Sequence, residues 1–401
     1  MISYSHAIDS GGSGCVFKPP LTCKDNSYNK NGISKLMFND DAMKEFKLIN
    51  KINEIVEKIP KNENYFLVSN VNFCKPDELN EHELNSFDKM CKGFTEKKYN
   101  KTNLNTKISD FSILNIPYGG INVDKFWFEI TKLNTNDKIK EFSKTNNSLI
   151  QLLINGIIPI NEYGLWHLDI KASNIVIGLD GRTRLIDWDT SIIMNNVNEI
   201  NINYYLSNRP IQFNLPFSVV LFSKDVNSIL SNEDNLKNVA LAIFKKIKEE
   251  EDQKEHYNYI INKMIPSIYG SNNENIIVDY LYSVLNKYVD ISTKKFNAVN
   301  YFNEVYSHNA DIYGFIITYS PLVIFYSENF KTFKFVNNLK QIINKYCFSP
   351  KYAIQPIPLK QLTKELLSCN ADDKSNNLKT IKNKKIIKSL KFGKTIKIKI
   401  D

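Results

Sequence analysis

The sequence predicts an α+β protein whose strands gather into a small antiparallel sheet near the N-terminus and whose remainder is mainly helical. Three observations predict it. Short strand-like runs bounded by Gly, Pro and Asn recur at 9–18, 32–37, 65–71 and 108–116. One helix interrupts them, with Ala42, Phe46, Ile49, Ile52 and Val56 forming a single apolar stripe. From Ser148 onward, apolar residues return mostly at helical spacing.

The chain of 401 residues, 42% apolar and 12% aromatic, is long enough for two or three compact units with real cores. No apolar run approaches the ~20 residues that a membrane helix needs; Phe315 to Tyr326 is the longest candidate. Residues 1–14 are polar and Gly-rich, unlike a signal peptide. Six cysteines, Cys15, Cys23, Cys74, Cys91, Cys347 and Cys369, show no paired spacing, so free thiols in a reducing, cytoplasmic setting are expected. Ten lysines from Lys374 onward against Asp401 account for the whole net charge of +9. The basic character therefore belongs to a tail, 370–401, open to an anionic partner by counterion release or simply solvated.

In order, Asp9 to Lys18 reads as two strands around a Gly-rich turn. A third strand spans Gly32 to Met37, and Asn39-Asp40-Asp41 is a helix N-cap cluster. Residues 75–107, rich in Lys, Glu and Asn, read as an insertion. A strand over 108–116 ends in Pro117-Tyr118-Gly119-Gly120. Residues 225–300 read as a polar helical insertion, and helices recur around 311–317, 335–346 and 359–367.

Chemistry concentrates in 167–189, HLDIKASNIVIGLDGRTRLIDWD. A polar set, His167, Asp169, Lys171 and Asn174, precedes an apolar alternation, a turn at Leu179-Asp180-Gly181, and two carboxylates, Asp187 and Asp189. A hairpin here would return Asp187 to Asn174, giving a carboxylate and an amide oxygen for Mg²⁺. Asp169 would then face a reacting hydroxyl, with Lys171 neutralising a transferred phosphoryl group. The bland alternative is a surface hairpin with solvated charges.

The stretch resembles the catalytic and metal loops of the protein kinase family, whose patterns are HRDLKxxN and DFG. It shares His-x-Asp, Lys two residues after Asp, Asn five after, and Asp thirteen beyond that Asn. The resemblance implies a bilobal fold with an N-lobe over 1–116, a hinge at 117–120 and a C-lobe over 121–369. It implies ATP and Mg²⁺ as cofactors, with Asp169 and Lys171 catalytic and Asn174 and Asp187 on the metal. Gly11, Gly12 and Gly14 would cover phosphates, although Asp9 stands where the family's first glycine belongs. Lys35, preferred over Lys18, would be the ATP lysine and pair with Glu45; Glu54 and Glu57 are the solvated alternatives. Val16 and Val176 would sandwich adenine, Tyr118 would lie in the hinge, and Asp311 would cap the catalytic loop. His167 and Trp188 would be packing residues. A helix-start Asp placed by the macrodipole is the plainer reading of Asp311.

Two departures stand out. Leu168 replaces the arginine that reads activation-loop phosphate in many kinases, so no such switch is expected. Asp189 replaces the DFG glycine, and Ile-Asp-Trp-Asp resembles the metal loop of aminoglycoside and choline phosphotransferases. A Ser/Thr protein kinase acting on a protein substrate is the leading expectation. A small-molecule phosphotransferase, disfavoured by Lys171, and a pseudokinase scaffold, suggested by the missing APE triplet, are the alternatives. The Asn, Ile and Lys richness is similar in style to kinase-like proteins of large cytoplasmic DNA viruses, which would place the chain in host cytoplasm or virion.

Overall fold

A computed structural model describes residues 5–11, 14–25, 32–250, 254–329 and 333–370. Gly12, part of the acidic run near 250, and the basic tail from Lys374 lie outside the described residues. The chain divides into two compact units, Met1–Gly120 and Ile121–Asp401.

The first unit carries a five-stranded antiparallel sheet built from β1 (His6–Gly11), β2 (Gly14–Lys18), β3 (Gly32–Phe38), β4 (Asn72–Cys74) and β5 (Phe111–Pro117). The spatial order is β1-β2-β3-β5-β4. Gly11 lies opposite Gly14 where β1 turns into β2, and Val16 lies opposite Lys35. Gly14 is required by packing: a Cβ there would stand 2.6 Å from the Leu36 carbonyl oxygen. Helix α1 (Asn39–Val56) buries Ala42, Glu45, Ile49, Ile52, Ile55 and Val56.

Several expectations need correction. Phe38, not the Asn39-Asp40-Asp41 cluster, occupies the cap position of α1 and makes no side-chain cap. Asn39 is diverted: its amide donates to the Ser109 carbonyl at 2.8 Å, and its oxygen accepts from the Ser112 hydroxyl at 2.8 Å. Asp40 and Asp41 still lie in the first turn, where the helix dipole favours them. The strand expected over 65–71 does not form there: Asn62–Asn64 winds into a 3₁₀ turn, Asn70 takes φ 60°, and the strand β4 begins only at Asn72. β5 starts late because Asn105–Asp110 is also a 3₁₀ helix.

The stretch 75–107 is built into the core. It forms α2 (Glu81–Asn85), α3 (Phe87–Met90) and α4 (Lys92–Thr95). Phe87, Phe94 and Leu104 are buried in one cluster with Phe17, Leu36 and Phe111. The Phe94 ring meets Phe111 edge-on at 5.2 Å. The expectation of free thiols is overturned for four cysteines, which form Cys15–Cys91 and Cys23–Cys74 disulfides. Their partners are 76 and 51 residues apart, so only the fold brings them together. Cys347 and Cys369 are free and buried.

The second unit is mainly helical. A three-stranded sheet of β6 (Ile121–Asn122), β8 (Ile175–Ile177) and β9 (Thr183–Leu185), in the order β6-β8-β9, accompanies a short pair of β7 (Leu165–Trp166) and β10 (Ile192–Ile193). Around it run α5 (Val123–Thr131), α6 (Thr135–Leu152), α7 (Ile158–Glu162) and α8 (Glu199–Leu206). α6 begins well before Ser148 because the Asn134 side chain caps it, accepting from the Asp137 N–H at 3.0 Å. The helix Ser307–Ile317 is buried along nearly its whole length and continues from Ala298 through a π-turn. Asp311 is thus a helix-interior residue, not a helix-start Asp. The described residues of 225–300 are mainly helical, as expected, and carry buried Ile277, Leu281, Val284 and Leu285, so they form a packed layer. Among the described residues no single helix is long and apolar enough to cross a membrane.

Candidate functional site

The polar set of 167–189 is assembled in the second unit by β7, the β8–β9 hairpin and the buried helix Ser307–Ile317. The Asp311 carboxylate sits under the loop. Its Oδ2 accepts from the His167 N–H at 2.9 Å, and its Oδ1 accepts from the Leu168 N–H at 2.8 Å. Asn161 donates a third bond to Oδ2 at 2.7 Å. A buried carboxylate spanning two consecutive N–H groups fixes the loop in one shape, and removing it would leave those donors unsatisfied. Leu168 accordingly holds φ 56°, a left-handed conformation that a non-glycine residue adopts only when its surroundings impose it.

Asp169, 8% exposed, is held by three donors. Lys171 Nζ at 2.9 Å and Asn174 Nδ2 at 2.8 Å reach Oδ2, while Asn214 Nδ2 reaches Oδ1 at 2.8 Å. Asn174 Nδ2 also donates to the Asp169 carbonyl at 3.0 Å. With its NH₂ group committed to two acceptors, the Asn174 amide can only turn Oδ1 the other way. The hairpin does what the sequence required: the Ile186 N–H donates to the Asn174 carbonyl at 3.0 Å, placing Asp187 next along the chain. Asp187 is exposed and takes φ 65°, the second left-handed non-glycine residue of the stretch. Both strained residues therefore border candidate chemical groups, the usual location of stored backbone strain.

His167 and Trp188 pack as expected, with ring centroids 4.7 Å apart and both residues buried. Burial pushes the His167 imidazole below its usual value, outweighing the opposite pull of Asp311, Asp169 and Asp187. The hydrogen bonds agree: Nδ1 accepts from the Asp169 N–H at 3.3 Å, leaving Nε2–H to donate to the Ile186 carbonyl at 3.1 Å. A neutral ring satisfies both. At the hairpin turn, Arg184 and Arg182 hold Asp180 down to about 2, Arg184 through a paired contact of 3.1 and 2.7 Å.

In the first unit, Lys35 on β3 and Glu45 on α1 form an ion pair of 2.7 Å, with side chains 12% and 8% exposed. Glu54 and Glu57 are exposed, and Glu57 accepts from Asn53 at 2.7 Å. Lys18 is placed elsewhere, its ammonium 3.2 Å from the centroid of the half-exposed Tyr118 ring. Gly11, Gly14 and Val16 lie on the β1–β2 hairpin. Val176 is buried on β8 of the second unit.

Asn214 was not singled out by sequence, since its contact with Asp169 spans 45 residues of chain. Its Nδ2 also approaches the Ile170 carbonyl at 3.3 Å. Gly314 makes that approach possible: a Cβ there would lie 2.6 Å from the Ile170 oxygen and 2.9 Å from the Asn214 oxygen.

Among the described residues of this loop, the oxygen donors of a kind that could ligate a metal include the exposed Asp187 and Asp189 carboxylates and the Asn174 amide oxygen. Among the described residues no cluster of three or more His, Cys, Asp or Glu is placed to hold a metal. Oxygen donors of this kind fit Mg²⁺, which keeps waters and takes the rest of its ligands from phosphate oxygens. No protein-family model and no curated protein matches the chain.

Proposed function

We propose that the chain is an ATP-dependent phosphotransferase with a kinase-like bilobal fold, a Ser/Thr protein kinase that moves the γ-phosphoryl group of Mg·ATP to a protein hydroxyl. The single observation that carries the reading is the Asp169 cluster: a buried carboxylate fixed by Lys171, Asn174 and Asn214, on a loop capped by Asp311. The buried Lys35–Glu45 pair supports it independently.

Asp169 would orient the acceptor hydroxyl and accept its proton late, as the phosphoryl group leaves. Lys171 lies 2.9 Å from Asp169 and would offset charge on the group in transfer. Asn174 and Asp187 would hold Mg²⁺, which when bound neutralises phosphate charge. Lys35, kept extended by Glu45, would neutralise phosphates, with the hairpin bearing Gly11 and Gly14 near them.

Replacing Asp169 with Asn keeps the shape and removes the base. Phosphotransfer to generic protein acceptors should fall by about 10²–10⁴-fold. Transfer by Asp169→Asn at the wild-type rate would remove the assignment. Aminoglycoside and choline acceptors belong in the same assay, because Asp189 retains the look of small-molecule phosphotransferases.

A further inference from the structure

Two disulfides close the first unit, and their surroundings differ. Cys15 and Cys91 are both fully buried, Cys15 in mid-β2 opposite Leu36 and Cys91 between α3 and α4. Among the described residues no side chain donates a hydrogen bond to either sulfur. Cys23–Cys74 is another matter. Cys74 ends β4, the edge strand of the sheet, and is 6% exposed, while Cys23 is fully buried.

The Asn115 amide, 1% exposed on β5, points its NH₂ at that second bond, 3.2 Å from Cys23 Sγ and 3.8 Å from Cys74 Sγ. Its orientation is fixed from the other end: Asn115 Oδ1 accepts from the Ser34 hydroxyl at 2.5 Å, and the Ser34 oxygen accepts from the Leu21 N–H at 2.8 Å. A buried amide donor beside a sulfur stabilises that sulfur as a thiolate, and a better leaving thiolate speeds exchange. Cys74, 6% exposed, is the less buried of the two cysteines and lies nearer the surface. The inner one, Cys23, is the one nearest the donor.

We propose that Cys23–Cys74 is a thiol–disulfide exchange site for low-molecular-weight thiols of the glutathione class, whereas Cys15–Cys91 is a closed structural bond. An incoming thiolate attacks Cys74 Sγ, the Cys74–Cys23 bond breaks, and Cys23 departs as a thiolate beside Asn115. A second thiolate attacks the external sulfur of the mixed disulfide and releases Cys74. The balance is one protein disulfide plus two thiols giving one protein dithiol plus one small disulfide, and the reverse oxidises the site. This inference does not rest on the proposed phosphotransfer.

The test is timed alkylation with peptide mapping on the full chain purified without reductant, then exposed to graded reduced glutathione under folding conditions. Cys23 and Cys74 should become labelled at least about ten-fold faster than Cys15 and Cys91, as a less buried cysteine bonded to a stabilised leaving sulfur implies. Their rate should rise in proportion to thiol concentration over a range in which Cys15 and Cys91 stay unlabelled. Asn115→Leu should slow the first reaction several-fold, and the thiol-order comparison on the wild type stands whether or not that variant folds. Equal rates for the two bonds, earlier release of Cys15–Cys91, or labelling of all four cysteines without added thiol would overturn the proposal.

Discussion

At the residue scale, the site is organised by groups that have given up their freedom. Asn174 shows this: by spending its NH₂ on Asp169 it leaves one oxygen for a cation. His167 is held neutral by accepting at one nitrogen and donating at the other, in a position with no exposed surface. The consequence is a pH dependence with a definite sign. Its folded pKa lies below that of an ordinary histidine, so as pH falls through about 6.5 the unfolded chain binds a proton that the folded chain resists. Stability should therefore drop between pH 7.5 and 5.5, and the thermal midpoint of His167→Gln should drop less over the same interval. A wild-type midpoint that rises on acidification would contradict the neutral ring. The positions of Asp169, Lys171, Asn174 and Asp187 were legible because their spacing is local. Asn214 was not, because nothing within a chain window ties residue 214 to residue 169.

At the element scale, the β8–β9 hairpin and the helix Ser307–Ile317 bring these side chains into place within the second unit, and α1 holds Glu45 against Lys35 within the first. The hairpin could be read from apolar alternation and turn residues, whereas the Lys35–Glu45 pair was expected only through the kinase resemblance. The start of α6 and the cap of α1 could not, since Asn134 and Asn39 look alike as capping residues and tertiary contacts decide between them. Gly314 is the sharpest element-level constraint. Its helix can approach Ile170 and Asn214 only without a Cβ. Gly314→Ala should cost about 1–3 kcal/mol by overpacking and should lower phosphotransfer by shifting the loop that carries Asp169. Urea unfolding reads the first effect and the transfer assay the second; an Ala variant as stable and active as wild type would show that the contact yields freely.

At the scale of the whole molecule, the α+β class and the mainly helical character of 225–300 were legible in the sequence. The role of 75–107 did not. Its surface composition of Lys, Glu and Asn concealed Phe87, Phe94 and Leu104, which complete the core of the first unit, and the cysteines that fasten it. Loops of 76 and 51 residues place each disulfide near the upper range of chain-entropy stabilisation, about 4 kcal/mol apiece. A Cys15→Ser, Cys91→Ser double variant should lose several degrees in thermal midpoint, and an unchanged midpoint would show that packing alone carries this unit. The same four cysteines remove the basis for inferring a reducing compartment from unpaired thiols.

The most direct measurement of the central claim follows Mg·ATP through binding and transfer in one series of proteins. Saturating Mg·ATP at ~100 times its Kd should stabilise the wild type by about 2.7 kcal/mol, seen as a rise in thermal midpoint, with phosphate passed to an acceptor. Asp169→Asn should keep the midpoint rise and lose the transfer, and Lys35→Ala should lose most of both. A wild-type protein whose midpoint ignores Mg·ATP, or an Asp169→Asn variant that transfers phosphate as fast as the wild type, would contradict the account.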